Sequence, residues 1–159
     1  MSGRGAQLQV IRGGAVAVAD MDVLRARNCA LTLAADRGYA PPSDPGLLAS
    51  VEVALDQARL KLQPGDPVEV IQALRAIARR RGLMMPSGFE LEMDAEIMGD
   101  WPEDLFRKAF KHIWETFEYR RMPEVPDFRR HIAEDLADRR KELAALQDLQ
   151  RRIGGIRKP

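Results

Sequence analysis

Residues 98–136 read MGDWPEDLFRKAFKHIWETFEYRRMPEVPDFRRHIAEDL, and their reading decides the fold. This stretch holds both tryptophans, both histidines and four of the five phenylalanines. Prolines at 102, 123 and 126 punctuate it where helices start or separate. Asp100 offers a cap, Pro102 suits a first turn, and Glu103 and Asp104 favour the positive end of a helix. The spacing predicts a helix over about 101–119. Leu105/Phe106, Ala109/Phe110, Ile113/Trp114 and Phe117 form an apolar arc too broad for one neighbour, which marks a central packing helix. Glu103/Arg107 and Asp104/Lys108 are acid-before-base pairs four apart on the opposite side.

Pro123 and Pro126 break the chain after Tyr119 and restrict the residues before them. From Pro126 and Asp127 the pattern predicts a single long helix to about Ile153. Phe128, Ile132 and Leu136 lead its stripe, and Leu143, Leu146, Leu149 and Ile153 continue it. The narrow leucine seam with charged flanks suits intramolecular packing or a homo-oligomeric coiled-coil contact.

Working towards the N-terminus, residues 83–100 (LMMPSGFELEMDAEIMGD) are ambiguous. Phe89, Leu91 and Met93 alternate as in a strand, but Ser87 can cap a helix and Phe89, Met93 and Ile97 recur at i, i+4, i+8. A helix over about 87–98 is the preferred reading, with Glu90, Glu92, Asp94 and Glu96 on a solvated face. Upstream, Gly65, Asp66 and Pro67 form a turn and an N-terminus, followed by a helix over 67–81. Val70/Ile71, Leu74 and Ile77/Ala78 point inward there, and Arg79-Arg80-Arg81 before Gly82 complement the helix dipole. A further helix is predicted over 45–62, with Leu47/Leu48, Val51, Ala54/Leu55 and Ala58 as its apolar stripe. GYAPPSDPG, residues 38–46, cannot continue a helix and is a linker. Before it a helix starts at about Asp20 and stops at Gly38, with Val23, Ala26, Ala30, Leu33 and Ala34 at helical spacing. Residues 1–19 carry four glycines and read as a flexible leader, with strand-like pieces at Val10-Ile11 and Val16–Val18 as the alternative.

The expected fold is thus all-α: an irregular bundle of about six helices with a long C-terminal helix and a flexible N-terminal leader. It divides into residues 1–43 (leader, first helix, linker) and a helical domain over 44–159. Hydrophobic residues at 45% and charged residues at 31% are ordinary for a globular chain, and a net charge of +1 gives no global case for nucleic acid or membrane. No run approaches the roughly 18 apolar residues of a membrane span, and no signal segment is convincing, so a cytoplasmic location is expected. The single cysteine, Cys29, excludes an intrachain disulfide and reads as a small buried hydrophobe.

Chemistry is sparse. Neither GxxxxGK[ST] nor GxGxxG occurs, so a phosphate loop or dinucleotide fingerprint is missing. Two histidines and one cysteine nearly exclude a Cys/His zinc site. His112 and His131 can meet but read as groove histidines. The serines lack a nucleophile setting and no spacing picks out a catalytic carboxylate pair, so no catalytic residue, cofactor or metal is expected. A small hydrolase using a divalent ion on Glu90, Asp94 or Asp104 is the least favoured reading. The remaining polar feature is a set of arginine doublets. Arg120, Arg121, Arg129 and Arg130 flank the tight connector, where guanidinium groups can converge on phosphate or on a partner. The plainer reading of those arginines is a solvated face paired with nearby acids.

Trp101-Pro102-Glu103-Asp104-Leu105, Ala109, Trp114, Arg121-x-Pro123 and Pro126-Asp127-Phe128, followed by Ile132 and Arg139, resemble the C-terminal region of small phage and prophage replication proteins, helicase loaders of the phage lambda P type. The resemblance covers about a third of the chain. It implies a non-enzymatic protein that binds a replication partner, a DnaB-type replicative helicase among them. With no phosphate loop, an ATPase-type loader is excluded. The alternative is a DNA-binding protein using the four connector arginines.

Overall fold

The computed structural model describes the backbone of residues 5–155 and the side chains of residues 20–44 and 46–155. The described residues form seven helices: α1 Gly5–Ala35, α2 Pro45–Leu60, α3 Pro67–Arg81, α4 Gly88–Gly99, α5 Glu103–Thr116, α6 Val125–Arg129 and α7 Ala133–Gly155. The fold is all-α and irregular, and it ends in a long helix, as the apolar periodicities require. The leader expected over residues 1–19 falls on side chains outside the described residues, and its strand-like pieces fall within the bounds of α1. No helix among the described residues is long and apolar enough to cross a membrane.

Two compact units divide the chain, one of residues 1–59 with 141–159 and the other of residues 60–140. The 38–46 break joins two helices whose apolar faces share one core, so the composition of the linker marks a turn between neighbours.

The first unit packs mainly small and aliphatic side chains. Val23, Ala26, Cys29, Ala30 and Leu33 of α1 meet Leu47, Val51, Ala54, Leu55 and Ala58 of α2, with Ala145, Leu146 and Leu149 of α7. The leucine seam of α7 is therefore used within the chain, with Leu143 and Ile153 packed at its margins. Cys29 is buried and accepts a hydrogen bond from the Tyr39 hydroxyl at 3.6 Å. Arg27, off the apolar stripe, forms an ion pair with Glu142 at 2.7 Å and donates to Gln57 at 2.9 Å, tying all three helices.

The second unit holds the aromatic core. Phe106 lies 6.2 Å from Phe128 and 6.3 Å from Phe110, and Phe110 lies 5.6 Å from Trp114, distances typical of packed rings. Helix α3 opens on Asp66, whose carboxylate accepts the Val68 amide at 2.8 Å, and closes on Gly82 at φ 63°, a left-handed position suited to glycine. Helix α4 opens on a capping box between Ser87 and Glu90. Its last residue, Gly99, abuts Pro67 at the start of α3; a Cβ there would lie 2.7 Å from the proline Cγ.

Three local expectations are corrected. Asp100 closes α4, its amide bonding to the Glu96 carbonyl, so Pro102 occupies the cap position of α5. Asp104 pairs with Arg139 and Lys108 with Asp135, so the expected Asp104/Lys108 pair is replaced by longer-range ones, while Glu103–Arg107 forms. The single helix expected from Pro126 is two, because the chain turns at 130–132 between α6 and α7. Arg130 lies at that break and reaches back to Asp127 at 2.6 Å.

Candidate interaction site

The connector between α5 and α6 is built around one carboxylate. Asp127 is the only buried charged side chain among the described residues, with 3% of its surface exposed. Arg121 donates to both its oxygens, at 2.7 and 3.2 Å, Arg130 donates at 2.6 Å, and the Glu124 amide donates at 2.9 Å. Burial alone would raise this carboxyl. The Arg121 hydrogen bond, the Glu124 amide and the charges of Arg121 and Arg130 outweigh burial and hold it below the ordinary range. Arg121 also stacks near Phe117 and Tyr119, at 5.4 and 5.5 Å from their ring centres.

The four arginines singled out by sequence are therefore not equivalent. Arg121 and Arg130 converge on Asp127, and Arg121 also lies 3.7 Å from the Glu124 carboxylate. Arg129 sits 5.9 Å from the Trp101 ring centre. Arg120 is exposed and makes no ion pair or side-chain hydrogen bond among the described residues. Earlier in the chain, Arg80 lies over the Trp114 ring at 4.2 Å, and Arg81 donates to the Ile113 and Phe117 carbonyls at the end of α5. The basic run 79–81 thus serves a neighbouring helix as well as its own dipole.

His112 and His131 do meet. Their ring centres are 3.9 Å apart beside a small cleft of about 160 Å³ that also includes Asp127 and Arg130. Burial, His112 and Arg130, in that order, lower the His131 pKa against a smaller opposing effect of Asp127. Among the described residues no group of three or more histidine, cysteine, aspartate or glutamate side chains is placed to hold a metal ion.

A second surface was only half visible in the sequence. Helix α4 is apolar on two sides. Leu91, Ala95 and Met98 are buried, at 8%, 1% and 0% exposure. Phe89, Met93 and Ile97, the i, i+4, i+8 set, point to solvent at 73%, 42% and 37% exposure, and Met84 just before the helix is 90% exposed. The core takes the first of these two faces and leaves the second open. Beside this open face lies a groove of about 660 Å³, walled by residues 84–86, by Glu90, Asp94 and Ile97 of α4, and by the connector 121–126. Asp94 in its wall has a raised pKa, through burial first and then the charges of Glu124 and Glu90. Glu90 is held low by the Ser87 amide and hydroxyl.

Comparison with protein-family models, with curated proteins and with solved structures finds no match for this chain.

Proposed function

We propose that this chain is a non-enzymatic protein-interaction module that docks a partner on the open face of α4 and the groove beside it. The observation that carries the reading is the outward stripe of Phe89, Met93 and Ile97 next to the groove formed with residues 121–126. Large exposed apolar side chains gathered in one patch mark interaction surfaces, and methionines adapt to a partner's shape. The groove is suited to an amphipathic helix, a common mode of recognition. The partner implied by the resemblance to phage replication proteins is a replicative helicase, and a cytoplasmic location goes with it.

Size-exclusion chromatography of the purified chain with a purified replicative helicase tests this. The wild type is expected to co-migrate with the helicase and Phe89→Ser to elute apart. A wild type that elutes alone removes the helicase as partner, and equal co-migration of both forms removes the α4 face. DNA binding by the connector arginines is the alternative. Its proper test is Arg120→Glu in a salt titration, because Arg121 and Arg130 are engaged with Asp127 and their loss would disturb the fold.

A further inference from the structure

We infer that the segment docked on α4 is a basic amphipathic helix of a protein partner. The inference rests on the docking reading above and adds the chemistry of the occupant. Residues 88–99 contain four acids, Glu90, Glu92, Asp94 and Glu96, and no cation. At about 100° per residue, Phe89, Met93 and Ile97 share one arc of the helix. Glu92 and Glu96 border that arc on one side, and Glu90 and Asp94 border it on the other. The apolar stripe is therefore framed by carboxylates along both edges.

Among the described residues no cation forms an ion pair with this frame; Glu90 accepts only from the Ser87 amide and hydroxyl. The groove wall's one cation, Arg121, is shared between Asp127 and Glu124, at 2.7 and 3.7 Å, and pairs with none of the four acids of α4. Glu92, Asp94 and Glu96 make no ion pair with any described residue. An apolar partner with acidic flanks would meet like charge on both edges, and so would an anionic lipid surface or a nucleic acid backbone. A helix with an apolar stripe between lysines or arginines satisfies stripe and frame together.

The test titrates the full chain with two designed amphipathic peptides that share a leucine stripe, one flanked by lysines and one by glutamates, and follows backbone amide shifts by NMR. The expected result is shifts over 84–97 and 121–126 with the lysine peptide, at least about tenfold tighter binding than with the glutamate peptide, and weakening as salt rises. The triple variant Glu92→Gln, Asp94→Asn, Glu96→Gln should lose about tenfold in affinity for the lysine peptide while keeping its helical circular dichroism. Phe89→Ser, which keeps every acid, should weaken binding of both peptides. Equal affinity for the two peptides at this face overturns the basic partner and leaves the docking reading standing. No shifts over these residues with either peptide overturns both. Binding to phosphatidylglycerol or phosphatidylcholine vesicles through the same residues overturns the protein partner.

Discussion

Arg121 grips the buried carboxylate of Asp127 through two hydrogen bonds, of 2.7 and 3.2 Å, and in doing so closes the turn between α5 and α6. The arginine is half exposed and the aspartate is not, so the two ends of this pair differ in what their loss would do. Replacing Asp127 by Ala strands the Glu124 amide and frees two cations beside each other, at an expected cost of about 2 kcal/mol. Arg121→Ala should cost as much or more if the carboxylate is left buried, with Arg130 limiting the loss. The folded carboxyl has a lowered pKa, so its contribution is present above the unfolded value of about 3.9 and is lost as pH falls below it. Urea denaturation of wild type and Asp127→Asn at neutral pH and at about pH 3.5 checks both magnitude and sign; the difference between the two proteins should shrink in acid.

Truncation should be costly on one apolar face of α4 and nearly neutral on the other. Met98→Ala removes a fully buried side chain and is expected to cost about 2–5 kcal/mol. Phe89→Ala removes a larger side chain that is 73% exposed and should stay within about 0.5 kcal/mol of wild type. Thermal melts of the two variants decide the matter, and a large loss for Phe89→Ala would mean that this ring is structural.

Gly99 allows α4 to end against α3. A methyl group would sit 2.7 Å from Pro67 Cγ and 3.1 Å from its Cα, where a proline ring has little room to yield. Gly99→Ala should cost about 1–3 kcal/mol. Gly82→Ala meets nothing within 4 Å but carries the penalty of positive φ, about 1–2 kcal/mol. Adding Pro67→Ala to Gly99→Ala should recover part of its loss and none of the Gly82→Ala loss, measured by chemical denaturation.

The His112–His131 contact should make stability depend on pH above the carboxylate range. The folded His131 pKa is lowered, by burial and then by His112 and Arg130, so between it and the unfolded value of about 6.5 the unfolded chain holds more protons. Stability therefore falls on acidification through this window. Denaturation midpoints at about pH 7.5 and 5.5 should differ in the wild type, and His131→Gln should reduce that difference.

What was legible in the sequence was mostly local. Asp66, Gly82 and Ser87–Glu90 act within a few residues of where they stand, so helices α3 and α4 could be bounded from the residues alone. The aromatic core followed from composition, because the rings are concentrated in one stretch. The orientation of α4 was not legible. Leu91, Ala95 and Met98 make as good a stripe as Phe89, Met93 and Ile97, and periodicity cannot choose which of two stripes meets the core. The arginine doublets were visible as a cluster, but their sharing of Asp127 depends on a turn that folds residues 121, 127 and 130 together. The roles of Arg80 and Arg81 depend on contacts more than thirty residues away and left no trace in local spacing.

The division of the chain has a consequence for how it is made. One unit is continuous, residues 60–140, and the other needs both the first 59 residues and those from 141 onward. A ribosome delivers the chain from its N-terminus, at about 5–20 residues per second. Helices α1 and α2 thus emerge before the aromatic unit but are completed only after it, because Ala145, Leu146 and Leu149 arrive once residues 60–140 have been synthesised. Throughout that interval the apolar faces of α1 and α2 lack their third helix, and the nascent chain should be most dependent on chaperones there.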